Sequence, residues 1–444
     1  MNSEQHLETF KEFLRFESVS TDSAYSKHLR ECALWLKNRF DKMGLDCKIH
    51  DTPRHPIVVA QSKIDPKKKS LLIYGHYDVQ PIDPINLWKN PPFEPHIEGD
   101  KIIARGSADN KGQILPHILG VEELLKESKE LPVNVTFLIE GEEEIGSPNL
   151  KPFIEANKDL LKCDWVLVSD TSMVDEGVPA LTYALRGIAT AEVKIFGPSH
   201  DLHSGVHGGG VTNPAWVAAK IVSKLHDENL HVQIPHFYDD VQPLADWERK
   251  EWQALPIQEN DIKKMLDVEE LNGEAGYSYL ERVWARPTAE VNGIGGGYQG
   301  EGSKTVLPKE AQIKFSFRLV PNQDPIKILN HFEEWIKAQK FPGCRIEFKR
   351  GHSGKAYYCD PKSAVAQKTK KVIEECFDAK AFFIREGGSI PIIQTFKDLL
   401  KADSLLVGLS LPDCLAHAPN ENMSLNSFYK GIEINKKLLK VLAE

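Results

Sequence analysis

Histidine and carboxylate side chains follow several short apolar segments of this sequence, and these residue types bind transition metals or transfer protons. They occur in five clusters: His76-Tyr77-Asp78, Asp109-Asn110, Glu140-Gly141-Glu142-Glu143-Glu144, Ser169-Asp170 and His417-Ala418-Pro419-Asn420-Glu421. In an open α/β sheet, ligands bind beyond the carboxyl ends of the strands. If these apolar segments are strands of one sheet, the five clusters converge on one site.

Each cluster taken alone also has an ordinary structural explanation. Asp109 stands before a predicted helix and could cap it, His76 could be a hydrogen-bonded core histidine, and residues 142–144 could be a solvated charge run. A histidine or carboxylate at each successive strand end is harder to explain in this way. The joint pattern therefore favours a functional site.

Two histidines with several carboxylates fit a pair of zinc or manganese ions better than calcium or magnesium, which prefer oxygen ligands. Ligating carboxylates would offset the charge of two divalent ions, so that the site can be buried. Asp78 lies two residues after His76, on the same face of an extended strand, where it can accept the second imidazole N–H. Spacing alone leaves open which of the glutamates at 142–144 ligates and which acts as a base.

The elements that must position these residues alternate between strand and helix. Helical spacing of apolar residues predicts helices over 28–43 and over 110–128, the latter despite Pro116. Short apolar runs predict buried strands at 57–60, 71–74, 133–139 and 165–169. This alternation predicts an α/β fold with a mostly parallel sheet and helices on both of its faces.

The pattern of apolar and polar residues changes near residue 184. Residues 190–195 and 313–319 alternate apolar with polar side chains, as half-exposed strands do, and Pro214 and Pro325 mark helix starts. The order is βαββαβ, which predicts a separate α+β domain inserted into the first one. We predict a catalytic domain in two parts, 1–183 and 386–444, around an insertion at 184–385, with the segment 239–270 unassigned.

Composition narrows the function classes. The chain has 444 residues, a formal net charge of -9 and a pI near 6.0, without a basic stripe interleaved with aromatics, so a nucleic-acid partner is not expected. The N-terminus lacks the apolar core of a secretory signal and no run is long enough to span a membrane, so no membrane association is expected. Seven scattered cysteines without a C-x-x-C pair indicate reduced thiols and a cytoplasmic location.

The sequence resembles the co-catalytic dinuclear metallopeptidase family in six strings, at residues 76–81, 105–112, 140–147, 201–205, 385–391 and 417–421. Within it they most resemble the branch of carnosinases and cytosolic nonspecific dipeptidases. The similarity covers nearly the whole chain in the correct order. It implies one metal group formed by His76, Asp109 and Asp170, and a second formed by Asp109, Glu144 and His417. It also implies that Glu143 is the general base, that Asp78 orients the site, and that the peptide bond between Asp109 and Asn110 is cis.

The resemblance also implies how substrate is bound. His203 corresponds to a lid histidine that stabilises the oxyanion and is supplied by the two-fold mate in a homodimer. Arg318 corresponds to the group that binds the substrate carboxylate, and the further contacts would come from Thr305, His352 and Ser389. The chain is thus expected to be a metal-dependent amidohydrolase, a dipeptidase, acting on dipeptides or short peptides with a free C-terminal carboxylate.

Two alternatives remain open. One is an N-acyl-amino-acid deacylase of the acetylornithine or succinyl-diaminopimelate type, because only the Gln80-Pro81 pair and the 387–391 string favour dipeptides. The other is a non-enzymatic binding module on the same scaffold, which is disfavoured because every proposed ligand and the base are present.

Overall fold

The structure, a computed structural model, describes residues 3–444. Its helices are α1 Ser3–Leu14, α2 Ser26–Lys42, α3 Lys111–Ser128, α4 Leu150–Ala156, α5 Ser204–His207, α6 Pro214–Ser223, α7 Asp246–Gln253, α8 Glu259–Leu266, α9 Tyr279–Ala285, α10 Pro325–Ala338, α11 Ala364–Phe377, α12 Pro391–Leu400 and α13 Leu425–Leu442. Its strands are β1 Asp46–His50, β2 Ile57–Gln61, β3 Ser70–His76, β4 His96–Glu98, β5 Lys101–Ile103, β6 Asn134–Glu140, β7 Trp165–Val168, β8 Ala180–Leu185, β9 Gly187–Phe196, β10 Leu202–His203, β11 Thr288–Gly296, β12 Val306–Leu307, β13 Glu310–Leu319, β14 Arg345–Gly354, β15 Tyr357–Tyr358, β16 Phe382–Glu386, β17 Asp403–Leu406 and β18 Asn422–Ser424.

The chain divides into two compact units. The first comprises the residues up to Tyr183 together with Cys359–Ile384 and Ile392–Glu444, and the second comprises Ala184–Tyr358 and Arg385–Pro391. This division differs from the predicted insertion at 184–385, because α11, which packs against α13, and residues 382–384 of β16, which pairs with β8, belong to the first unit. The amphipathic pattern of α11 is compatible with either unit, so the sequence does not show that the chain has re-entered the first unit at this helix.

The first unit is built on a large sheet whose strands lie in the order β1-β2-β6-β3-β7-β17-β8. Strand β3 runs parallel to both β6 and β7, and β17 runs parallel to β7. The flanking strands β1, β2 and β8 pair antiparallel. The carboxyl ends of the four parallel strands therefore meet at one edge of the sheet.

Helices cover both faces of this sheet. Tyr74 and Gly75 are successive residues of β3 and so point to opposite faces. The ring of Tyr74 packs edge-on against Phe396 of α12, with centroids 5.1 Å apart. Gly75 faces Ile114 of α3, and any Cβ at this position would lie 2.8 Å from that side chain. The predicted α/β fold with helices on both faces is confirmed.

The second unit contains a four-stranded antiparallel sheet in the order β11-β13-β9-β14. Buried and more exposed residues alternate along β9 and β13, as the sequence predicts, and α6 and α10 pack against this sheet. Asn213 caps α6 and Asp324 caps α10, each followed by a proline in the first turn. The chain order β9-α6-β11-β13-α10-β14 confirms the βαββαβ prediction, while the unassigned segment 239–270 contains α7 and α8.

Within residues 3–444, no helix combines the length and the apolar character needed to cross a membrane.

Candidate metal centre

His76 is the last residue of β3 and is fully buried. Its Nε2 lies 3.1 Å from Asp109 Oδ1 and 3.7 Å from Asp170 Oδ1. Neither oxygen is placed to make a hydrogen bond of good geometry with this nitrogen, so Nε2 is a buried polar atom without a partner. An ordinary core histidine would not leave this atom unsatisfied.

Asp78 orients the site in a different way from the predicted one. The Nδ1 of His76 lies 3.1 Å from the main-chain oxygen of Asp78 and 3.4 Å from its carboxylate, so the nearer acceptor is the main-chain carbonyl. The carboxylate of Asp78 instead accepts the backbone N–H groups of Glu143 and Glu144, at 3.2 and 3.1 Å. The carboxylate is thus the farther of the two acceptors for the imidazole N–H, and it binds the glutamate loop as well. Asp78 ties the strand end at His76 to the glutamate loop.

Asp109 does not cap the helix that follows it. The residue at the cap position of α3 is Asn110, and no side chain makes a capping hydrogen bond there. The two carboxylate oxygens of Asp109 face two histidines instead, with Oδ1 3.1 Å from His76 Nε2 and Oδ2 2.9 Å from His417 Nε2. The peptide bond between Asp109 and Asn110 is cis, as the resemblance implies.

Glu142 is a buried structural acceptor. Its Oε1 accepts hydrogen bonds from Thr52 Oγ1 at 2.6 Å and from the backbone N–H of His55 at 2.8 Å. Asn149 Nδ2 donates to both of its oxygens. These bonds occupy the carboxylate, so Glu142 is neither a solvated charge nor an available base.

The next two glutamates point elsewhere. Glu144 Oε2 accepts from Gln80 Nε2 at 2.7 Å and lies 3.3 Å from His417 Nε2, while its Oε1 is buried without a hydrogen-bond partner. The carboxylate of Glu143 accepts no hydrogen bond from any part of the chain that the structure describes, and it keeps partial exposure. It is thus free to exchange a proton with a bound molecule.

Two groups of three side chains can each hold a metal ion. They are His76, Asp109 and Asp170, and Asp109, Glu144 and His417, and within each group one ligand atom per residue lies within 4.8 Å of the others. Asp109 belongs to both. The mixed imidazole and carboxylate donors and the unpartnered buried atoms on His76 and Glu144 fit a pair of transition-metal ions.

The electrostatics of the cluster reflect crowded carboxylates. Burial, followed by the charges of Asp170 and Asp109, raises the pKa of Glu143 well above its usual range, although His76 opposes the shift. Burial, followed by Asp109, raises the pKa of Glu144 to about 7. Cations placed among these oxygens would relieve both the repulsion and the burial cost.

The other predicted site residues lie in the second unit. His203 ends β10 opposite Val306 of β12; its Nδ1 accepts the N–H of Gly205 at 3.0 Å, and the residue is exposed. The main-chain oxygen of Thr305 accepts the N–H of Ser204 at 3.0 Å. His203, at the end of β10, and Thr305, just before β12, therefore lie next to each other, and both residues are exposed.

A second set in this unit gathers around Arg318. The Nη1 of Arg318 donates to Ser389 Oγ at 2.9 Å, and no carboxylate among residues 3–444 forms an ion pair with this guanidinium. Burial lowers the pKa of Arg318. Arg318 pairs across the sheet with Ile188, which pairs with Gly354, so His352 lies at the same end of the sheet.

Sequence reasoning gave no role to several residues that hold this site. Asn110 Nδ2 donates to Asp170 Oδ1 at 2.7 Å, Gln80 donates to the glutamate loop, and Glu421 pairs with Arg105 beneath the Asp109 segment. All four stand inside the strings that carry the family resemblance. Their presence in those strings is the signal that could have identified them.

Comparison with known proteins assigns the family. The family model described as Peptidase family M20/M25/M40 matches residues 72–441. The chain belongs to this family. As a member it is a metal-dependent hydrolase, and the predicted place in the branch of carnosinases and dipeptidases is confirmed.

Three similar proteins illustrate the match. The Cys-Gly metallodipeptidase dug1 of Schizosaccharomyces pombe is 33% identical over 94% of this chain and 91% of its own length. The Beta-Ala-His dipeptidase of Homo sapiens is 30% identical over 86% of this chain and 76% of its own length. The solved structure of an M20 family metallo-carboxypeptidase, Sso-CP2 from Sulfolobus solfataricus, covers 100% of both chains with 35% identity and a TM-score of 0.88.

Proposed function

We propose that this peptidase hydrolyses the amide bond of dipeptides or short peptides that carry a free C-terminal carboxylate. The observation that carries this proposal is the geometry of the centre. Two three-residue metal groups share Asp109, and beside them Glu143 has a carboxylate that no other described residue engages. The names of the relatives, a Cys-Gly metallodipeptidase and a Beta-Ala-His dipeptidase, support the substrate class.

The two groups would hold two divalent ions, zinc or manganese, with Asp109 bridging. His76 and Asp170 would complete one site, and Glu144 and His417 the other. When bound, such ions polarise the amide carbonyl and lower the pKa of water.

Glu143 is the general base in this proposal. It takes a proton from the attacking water and then passes it to the nitrogen of the leaving amine. Asp78 positions the carboxylate, because it holds the backbone N–H groups of Glu143 and Glu144. Glu142 is excluded from this role by its four hydrogen bonds.

Arg318 would bind the substrate carboxylate. A half-buried guanidinium without a carboxylate partner is suited to bidentate recognition of one from the ligand. Ser389 lies against it and would add a hydroxyl donor. His352 and Thr305 would add further contacts, as the family resemblance implies.

The active unit in this proposal is a homodimer in which His203 serves the partner's site. The exposed His203, whose Nδ1 is already engaged by Gly205, would offer its Nε2 to an oxyanion on a neighbouring chain. We place the protein in the cytoplasm, because its seven cysteines are scattered along the sequence without a C-x-x-C pair, which suits a reducing compartment.

A substrate panel tests the proposal. Purified enzyme loaded with zinc or manganese is assayed on dipeptides, the same dipeptides as C-terminal amides, and N-acetyl and N-succinyl amino acids. The proposal expects turnover of free dipeptides well above that of the other two sets. Faster cleavage of the N-acyl amino acids would identify a deacylase instead, and no turnover of any compound by metal-loaded protein would point to a binding protein.

A further inference from the structure

A buried ion pair lies beneath the metal centre. Arg105 Nη1 donates to Glu421 Oε2 at 2.6 Å, and the two side chains are 1% and 0% exposed. A buried pair is weak evidence for stability, because desolvation of both charges offsets their attraction. Its position in the fold therefore deserves a specific explanation.

The carboxylate of Glu421 accepts hydrogen bonds from the backbone of the segment that ends in Asp109. Oε2 also accepts the N–H of Gly106 at 3.0 Å, and Oε1 accepts the N–H groups of Ala108 at 2.8 Å and of Asp109 itself at 2.9 Å. Gly106 has a φ of +86°, a backbone conformation that favours glycine. The backbone of the bridging aspartate is thus fixed by this one carboxylate.

The same residue anchors the loop that carries His417. Leu415, His417 and Asn420 all adopt left-handed backbone conformations, with φ of 54°, 63° and 65°. Such conformations are unfavourable for residues other than glycine and persist only where the surroundings impose them. Directly after this loop, Glu421 is fixed by its main-chain oxygen, which accepts the N–H of Ala104 at 3.1 Å.

Arg105 extends the connection to a third segment. Its Nη2 donates to the main-chain oxygen of Pro81 at 2.9 Å. The neighbouring residue, Gln80, donates to Glu144 Oε2 at 2.7 Å. The pair therefore contacts the segments that carry Asp109 and His417, and it reaches the carboxylate of Glu144 indirectly, through the residue next to Pro81.

We propose that Glu421 and Arg105 are positioning residues for divalent-cation binding, acting mainly on the group of Asp109, Glu144 and His417. This inference rests on the proposed function of that group. The other group depends on the pair less, because His76 ends a central strand and Asp170 is held by Asn110 at 2.7 Å. His417, in contrast, is 55% exposed and has only its loop to position it.

The test is a zinc titration of the full-length protein in competition with a chromophoric chelator. Glu421→Gln keeps the shape of the side chain but removes the negative charge that binds Arg105 and the backbone N–H groups of residues 106–109. We expect it to weaken one of two zinc equivalents by about 10–100-fold and the other far less, as loss of outer hydrogen bonds to metal ligands does. High zinc should restore turnover.

The matched control is Glu274→Gln. Glu274 pairs with Arg286 in the second unit at 2.6 and 2.7 Å, with both side chains about one-tenth exposed. In excess chelator, where no metal is bound, the free energy of unfolding of this variant should fall as that of Glu421→Gln does. Its two zinc affinities, however, should stay at the wild-type values. A change in zinc affinity, not in stability, is therefore the decisive readout.

The outcomes are separable. Should the wild-type chain bind fewer than two equivalents, the proposed function fails; should Glu421→Gln retain both wild-type affinities, only the present inference fails. Equal weakening of both equivalents would also overturn the assignment to one group. If Glu421→Gln does not fold, Arg105→Lys keeps the charge but loses the two-point contact, and it should weaken the same equivalent to a smaller extent.

Discussion

Replacement of Glu143 by glutamine should abolish catalysis while leaving the fold and the metals in place. The carboxylate of Glu143 accepts no hydrogen bond from the described chain, so the amide breaks none, and its charge repels the carboxylates around it. Stability should therefore change by no more than about 0.5 kcal/mol. Loss of a general base lowers kcat by about 10²–10⁴-fold, which corresponds to ~3–5 kcal/mol in the activation barrier at ~1.36 kcal/mol per factor of ten.

The adjacent Glu142→Gln variant is the matched control. The carboxylate of Glu142 accepts hydrogen bonds from Thr52, His55 and Asn149. In the glutamine variant, an NH2 group in place of Oε2 would face the NH2 group of Asn149, so that this hydrogen bond is lost. We expect a loss of about 1–3 kcal/mol in the free energy of unfolding and turnover within about tenfold of the wild type. The assays are kcat and KM on one dipeptide, metal content by elemental analysis and denaturant unfolding. Near wild-type turnover by Glu143→Gln, or an equal loss in a metal-loaded Glu142→Gln, would refute the assignment.

Four further perturbations test other parts of the site. Asp109→Ala should reduce metal content from about two ions per chain to almost none, because both groups lose a ligand; retention of one tight ion would argue against bridging. Arg318→Met should weaken dipeptides with a free C-terminal carboxylate by ~2–5 kcal/mol and their amides far less, and equal losses in kcat/KM would show a structural role. Mixing inactive His203→Ala with inactive Glu143→Gln subunits should restore up to about a quarter of wild-type activity, since each heterodimer has one intact composite site; no recovery in demonstrated heterodimers would exclude the trans role. His117 tests pH dependence, because burial lowers its pKa from 6.5 to about 3. The unfolded chain therefore binds a proton below pH 6.5 that the folded chain does not, and the free energy of unfolding should fall by ~2 kcal/mol more between pH 7 and 5 in the wild type than in His117→Gln. Identical pH slopes in denaturant unfolding would contradict this.

The sequence could predict that the histidines and carboxylates of the centre lie close together, whereas the membership of each metal group came from the family resemblance. Parallel strands end at a common edge, and His76 at the end of β3 stands in register with Glu140 at the end of β6. Side chains placed just after these strands must approach one another whatever the loops do. The alternation of apolar and polar residues likewise predicted β9 and β13, since a strand with one buried face has a fixed period.

The contacts inside the cluster did not follow from the sequence. Asp78 was expected to accept from the imidazole of His76 because both residues lie on one strand face, but the strand ends at His76. Outside the strand, the main-chain oxygen of Asp78 lies nearer to Nδ1 than its carboxylate does. The same limitation applies to residues 142–144, where only the loop conformation decides which carboxylate is tied to Asn149 and which is free.

The ligands of this centre come from separate segments, and each segment is held by a side chain of another. Asp78 holds the backbone of Glu144, Asn110 holds Asp170, and Glu421 holds Asp109. A change in one of these connecting side chains must therefore displace groups on two segments at once. Because Asp78 and Glu421 each position one member of the same metal group, paired substitutions at these two residues should affect zinc affinity non-additively. If the effects of the two substitutions on zinc affinity simply add, each segment is rigid by itself, and these hydrogen bonds do not determine its position.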